Sequence, residues 1–161
     1  MKPRVGVSRC LLGDQVRYDG GHKRASVLLD RLGPHVEWVP VCPEMEVGMG
    51  TPREPVHLVS RPDGVRMLGV TSEHDWTDRM QAWASDRLRA LTALQLSGYV
   101  LKARSPSCGL DGGLFAGALV ATMPGLPVAD EAQLGTAPAA DAFLAQVRAC
   151  HARGGWQAAH Q

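Results

Sequence analysis

Three of the four cysteines stand where a strand-forming run gives way to a turn. Cys10 follows Val5-Gly6-Val7-Ser8-Arg9, Cys42 lies in Val39-Pro40-Val41-Cys42-Pro43-Glu44, and Cys108 lies in Ser105-Pro106-Ser107-Cys108-Gly109. Three thiols on one rim would make a metal or cluster site, since thiolates are soft ligands that suit iron and zinc. No Cys-x-x-Cys pair occurs, so zinc-ribbon and thioredoxin spacings are absent and the fold must assemble any shared ligand set. Glu44, two residues beyond Cys42, is placed to move protons or activate water if it does not merely solvate its loop. Ser105 and Ser107 can donate to a bound group or satisfy turn amides. Cys150 is different: it shares a helix face with Phe143, Leu144 and Val147, the setting of a buried small hydrophobe. The histidines His22, His35, His57 and His74 have no HxxxH or HxxE spacing, which argues against a histidine metal site.

The elements that would position these residues alternate. Pro3 to Ser8 reads as a buried strand. Ala25, Leu28, Leu29 and Leu32 recur at helical spacing until Gly33-Pro34, and Val36 to Val41 is a second strand. Two strands joined by a helix form a parallel βαβ unit, which sends Cys10 and Cys42 to the same edge. Pro43 to Pro55 reads as a long functional loop, and Val56 to Ser60 with Val65 to Leu68 as a hairpin turned by Arg61-Pro62-Asp63-Gly64. A helix is expected from about Trp76 to Gln95, with Trp76 and Trp83 at core spacing. Tyr99 to Leu101 makes a third strand that delivers Cys108 to the rim. Phe115 to Met123 reads as a fourth apolar strand, and Ala139 to Arg153 as a closing helix before Gly154-Gly155. The expected fold is a single α/β domain over residues 1–161: a doubly wound, mostly parallel, Rossmann-like sheet with a small β-hairpin insertion. In such sheets ligands bind beyond the carboxyl ends of the strands, where the three cysteines lie.

Composition narrows the partners. With 161 residues, 45% hydrophobic content and a net charge of +1, the chain can bury a core and offers no charge imbalance that would attract nucleic acid or an anionic membrane. No apolar run approaches the length of a membrane span and no secretory h-region follows Lys2 and Arg4, so a cytoplasmic protein with a small-molecule partner is expected. In a reducing compartment the thiols stay free to act as ligands. No GxGxxG or Walker pattern points to a dinucleotide or ATP.

The runs Ser8-Arg9-Cys10-Leu11-Leu12-Gly13, Val16-Arg17-Tyr18-Asp19-Gly20-Gly21, Cys42-Pro43-Glu44, Thr51-Pro52-Arg53 and Ser105-Pro106-Ser107-Cys108-Gly109 resemble, in order, the motifs of the bacterial family that includes the 2-thiouracil desulfidases. The resemblance extends from about Pro3 to Glu131. It implies a 4Fe-4S cluster on three cysteines, here Cys10, Cys42 and Cys108, with one iron not ligated by protein and open to the sulfur of a thiolated base or nucleoside. It also implies Glu44 and Ser105 as catalytic groups. Ser107, Arg17 and Tyr18 are the candidates for substrate contact, Tyr18 by stacking on a base, although Tyr18 could equally pack and Arg17 and Arg53 could pin loops by ion pairs. Arg9 stands where the family commonly has a small residue, and Met45-Glu46-Val47-Gly48-Met49-Gly50 replaces a glycine pair before a hydrophobic residue, so the pocket lining is expected to differ more than the ligands.

Iron-sulfur chemistry agrees with this on independent grounds. A soft, open iron accepts a thiocarbonyl sulfur where a hard metal would not, and replacing sulfur by the oxygen of water requires no electron transfer. A zinc site, a non-catalytic cluster- or nucleotide-binding module and a cysteine hydrolase remain alternatives to the desulfidase at this point. The sequence leaves oligomeric state open.

Overall fold

The computed structural model describes residues 1–157. In chain order the elements are β1 (Arg4–Ser8), a 3-10 turn (Arg9–Leu12), α1 (Ser26–Leu32), β2 (Glu37–Val41), α2 (Pro43–Glu46), β3 (Val56–Arg61), β4 (Gly64–Gly69), α3 (Thr77–Thr92), β5 (Gly98–Leu101), α4 (Leu114–Thr122), β6 (Val128–Asp130) and α5 (Ala137–Ala152). A second 3-10 turn, Gly33–His35, joins α1 to β2.

The sheet has the order β2-β1-β5-β6 and every pairing in it is parallel. The chain leaves β1 for β2 on one side and later returns to place β5 on the other, so the order reverses at β1. That reversal opens a crevice at the carboxyl ends of β1 and β5. Side chains alternate across the sheet as strand geometry requires. Val5, Val7 and Val100 enter a core with Leu28 and Leu32 of α1 and Phe143, Leu144 and Val147 of α5. Val41, Tyr99 and Leu101 enter a second core with Ala84, Leu88 and Leu91 of α3 and Phe115 and Leu119 of α4. The expected doubly wound architecture is therefore present, with one helix pair on each face. Gly6 is dictated by packing: it stands opposite Tyr99, and a Cβ there would run into the tyrosine ring.

The expected hairpin is β3 and β4, antiparallel from Val56↔Gly69 to Arg61↔Gly64. It is fastened to the start of α3, where the Thr77 hydroxyl accepts the Met67 N–H at 2.7 Å and the Asp75 carboxylate accepts the Thr77 N–H at 2.9 Å. Trp76 immediately precedes α3 and packs with Met67 and Met80, while Trp83 bridges that cluster and the second core.

Two expectations are corrected. Phe115 to Met123 is helical, forming α4, and the fourth strand is the three-residue β6. Leu114–Thr122 is short and apolar on nearly every face, so its periodicity does not distinguish strand from helix; three alanines favour the helix, and the Ser107 carbonyl accepts the Phe115 and Ala116 N–H groups at its first turn. The stretch read as a loop from Pro43 begins with one helical turn, α2, in which Pro43 occupies the first position and Glu46 reaches back to accept the Cys42 N–H at 3.0 Å. No helix among the described residues is long and apolar enough to cross a membrane.

Candidate active site

A cavity of about 660 Å³ lies beyond the carboxyl ends of β1, β2 and β5, and Cys10, Cys42 and Cys108 all line it. Each thiol arrives by a different local device. The 3-10 turn after β1 presents Cys10, whose carbonyl accepts the Gly13 and Lys23 N–H groups, with Gly13 in the left-handed conformation that ends the turn. Cys42 is the N-cap of α2. Cys108 sits in a tight loop between β5 and α4, where the chain passes so close to itself that a Cβ on Gly113 would stand 2.5 Å from the Gly109 carbonyl. Burial pushes the Cys108 thiol up to about 12 and the Cys10 thiol up to about 11, with the neighbouring cysteines adding to both; the Ser8 hydroxyl pulls Cys108 the other way. Burial also raises Cys42. All four cysteines are free, and Cys150, buried on α5, does not border the cavity.

The donor set fits a cluster. Thiols that influence one another's ionisation across one cavity, with high intrinsic proton affinity, become thiolates when a cationic centre displaces their protons. Among the described residues no three His, Cys, Asp or Glu side chains are arranged around a single ion. A cubane has a different requirement, thiolates on separate irons and not around one common ion.

Beside the thiols runs a chain of polar groups. Arg53 donates from Nε and Nη2 to Glu44 Oε1 at 3.2 and 2.9 Å, and from Nη1 to the Gly50 carbonyl at 2.7 Å. This pair is withdrawn from solvent, with 8% of the Arg53 and 14% of the Glu44 side chain exposed. The second carboxylate oxygen, Oε2, accepts the Ser107 hydroxyl at 3.0 Å, and Ser107 Oγ is 3.1 Å from Ser105 Oγ. Ser105 Oγ also accepts the Ser107 and Cys108 N–H groups at 3.2 and 3.0 Å. Since Ser107 donates to Glu44, its oxygen receives the Ser105 proton, giving a directed relay from Ser105 through Ser107 to Glu44.

The structure thus brings together Glu44, Ser105, Ser107 and the three cysteines, with Ser107 as the link between the two expected catalytic groups. Arg17 and Tyr18 also border the cavity. Arg17 makes no ion pair among the described residues; its guanidinium lies over the Tyr18 ring, 5.7 Å from the centroid, and Tyr18 is 39% exposed. Their loop is tied to the next motif, because Thr51 Oγ1 donates to the Arg17 carbonyl at 2.8 Å and the Arg53 N–H to the Tyr18 carbonyl at 2.7 Å. Arg53 does pin a loop by an ion pair, as its chemistry allows, yet the pair it makes holds Glu44 itself. Lys102, not among the candidates singled out from the sequence, is half-buried on the cavity wall. Its place directly after a predicted strand was the available signal.

Comparison with known proteins gives a consistent picture. The family model described as 2-thiouracil desulfurase matches residues 5–131. The uncharacterized protein YbbK of Bacillus subtilis (strain 168) is 33% identical over 108 residues, spanning 64% of this chain and 71% of that protein. Among solved structures, the [4Fe-4S]-dependent thiouracil desulfidase TudS (DUF523Vcz) superposes with a TM-score of 0.68 at 32% identity, covering 89% of this chain and 99% of that one.

Proposed function

The chain belongs to the 2-thiouracil desulfurase family, and from that premise we propose that it is a 4Fe-4S-dependent desulfidase removing sulfur from a thiolated pyrimidine such as 2-thiouracil, free or as a nucleoside. The observation that carries this reading is the meeting of Cys10, Cys42 and Cys108 on one cavity wall with the relay of Ser105, Ser107 and Glu44 beside them. The reaction is hydrolytic: the thiocarbonyl carbon exchanges sulfur for the oxygen of water, and hydrogen sulfide is released without oxidation or reduction.

Cys10, Cys42 and Cys108 would hold the cluster. When bound, it supplies a soft Lewis-acidic iron, free of a protein ligand, for the sulfur that leaves. The remaining chemistry falls to the polypeptide. Arg53 occupies Oε1 of Glu44 with two N–H groups, which fixes the plane of the carboxylate. Oε2 is then the basic atom, positioned to take a proton from attacking water directly or through Ser107 Oγ. Ser105, anchored by two backbone amides, can return a proton along the same path to the departing sulfide. Arg17 and Tyr18 form the outer wall that a base would meet.

Anaerobic reconstitution with iron and sulfide, followed by an assay of sulfide and uracil formed from 2-thiouracil, tests the proposal. Near-stoichiometric sulfide and uracil with a brown, iron-containing protein are expected. A protein that retains zinc and no acid-labile sulfide, or a loaded cluster without turnover on any thiolated pyrimidine, would overturn it.

A further inference from the structure

A second charged pair borders the cavity and takes no part in the chemistry above. Lys102 follows β5 and Glu131 follows β6, so two adjacent parallel strands carry both residues to the same rim. Each is largely withdrawn from water, with 19% of the Lys102 and 18% of the Glu131 side chain exposed. Glu131 is fixed by the backbone, since its two carboxylate oxygens accept the Ala103 N–H at 2.6 and 3.2 Å. Lys102 Nζ donates to the Ala103 carbonyl at 2.6 Å and lies 3.7 Å from Glu131 Oε1. An ammonium has three N–H groups; the Ala103 carbonyl takes one, and the Glu131 carboxylate at 3.7 Å is an ion-pair partner beyond hydrogen-bond reach. Among the described residues no protein acceptor hydrogen-bonds the other two, and the side chain lines the cavity.

A thiouracil that loses its exocyclic sulfur keeps its other exocyclic group, a carbonyl oxygen that only accepts hydrogen bonds. A positioned ammonium with N–H groups to spare is the complement of that atom. We propose that Lys102, held by Glu131 and the Ala103 carbonyl, recognises the base by donating to the exocyclic oxygen that the substrate retains. This rests on the desulfidase reading and adds the group that selects an oxo-substituted ring over one without the oxygen. A site built around such a donor discriminates strongly, because an analogue lacking the acceptor leaves a half-buried charge without a partner.

The test is equilibrium binding to the anaerobically reconstituted protein by titration calorimetry, with uracil and with 2-hydroxypyrimidine, which lacks the second exocyclic oxygen. Wild-type protein is expected to bind uracil about ten- to a hundredfold more tightly, the range for a hydrogen bond to a charged group. Lys102→Met, which keeps the aliphatic stem, should bind the two alike while retaining its iron and visible spectrum. Glu131→Gln, which can still accept the Ala103 N–H, should narrow the preference without abolishing it. An unchanged preference in Lys102→Met, or none in wild type, overturns the proposal. So does a shifted cluster reduction potential with unchanged affinities, which would assign the ammonium to the cluster and not the base. Wild-type protein that discriminates between the two rings yet releases no sulfide from 2-thiouracil would instead defeat the desulfidase reading alone.

Discussion

Replacing Glu44 by glutamine separates the two roles that the carboxylate can play. Glu44→Gln preserves shape and leaves the amide able to meet Ser107, but it removes the charge that answers Arg53, a guanidinium with 8% of its side chain exposed. Removing one partner of a buried ion pair costs about 3 to 5 kcal/mol, and the retained hydrogen bonding here, including the bond from Arg53 to the Gly50 carbonyl, places the expected loss at about 2 to 3 kcal/mol. At the ~2 to 4 °C per kcal/mol of a chain this size, the melting temperature should fall by about 5 to 10 °C. The rate effect is of another order. Loss of a proton-transfer group costs about 10² to 10⁴ in turnover, far more than partial unfolding would remove at 25 °C. Sulfide release, iron content and thermal unfolding should be measured on Glu44→Gln and on Arg53→Met, which loses the same ion pair but keeps the carboxylate. Both should melt earlier by similar amounts with iron retained, and Glu44→Gln should lose far more turnover. Equal activity losses that track stability in the two variants, or near-normal turnover in Glu44→Gln, would refute the assignment of Oε2 as the base.

Serine at Cys10, Cys42 or Cys108 should each abolish iron and labile-sulfide binding, whereas Cys150→Ser, buried on α5 away from the cavity, should keep both at a cost of about 1 to 3 kcal/mol in chemical unfolding. Ser105→Ala should retain the cluster, lose about 1 kcal/mol through the two amides that its hydroxyl satisfies, and lower sulfide release by about two orders of magnitude. Asp75 lies far from this chemistry and reports on the hairpin. The Thr77 hydroxyl first, and then Arg66, hold its carboxyl down at about 2, below the ordinary carboxylate value, so the stability it contributes is present above about pH 4 and is lost as pH falls through 2. Asp75 is partly exposed, so Asp75→Asn should cost about 1 kcal/mol by urea unfolding at pH 5, a difference that closes toward pH 2.

The positions of Cys10 and Cys42 were legible because a βαβ unit has one hand and one direction, and burial of Leu28 and Leu32 confirms the helix between them. Cys108 followed from the short run Tyr99 to Leu101. The segment after it was not legible, because a nine-residue apolar helix buried along one side carries the same pattern as an inner strand; what decides is the capping of its first turn by Ser107, a contact that no local pattern encodes. The pairing of Arg53 with Glu44 was hidden for another reason. It depends on the loop at Val16 to Gly21 being laced to the Thr51 hydroxyl and the Arg53 N–H through its backbone carbonyls, so the geometry belongs to two loops jointly. Lys102 and Glu131 meet only because β5 and β6 are neighbours in the sheet, which the misassigned strand concealed.

Cys10 packs in the core between the sheet and helices α1 and α5, whereas Cys108 packs in the core between the sheet and helices α3 and α4. A cofactor that joins these thiols is therefore a cross-link between two hydrophobic compartments on opposite faces of the sheet. Tying chain points about 100 residues apart removes conformational entropy from the unfolded ensemble worth about 4 to 5 kcal/mol in the loop-closure model, as much as a long-range disulfide provides in proteins that cannot rely on a reducing environment. Ligation and folding then become linked equilibria: the two cores melt together while the centre is intact, and oxidative loss of the centre releases them from a single cooperative transition. The same site that would carry out the reaction would thereby also set how long the protein lasts in air.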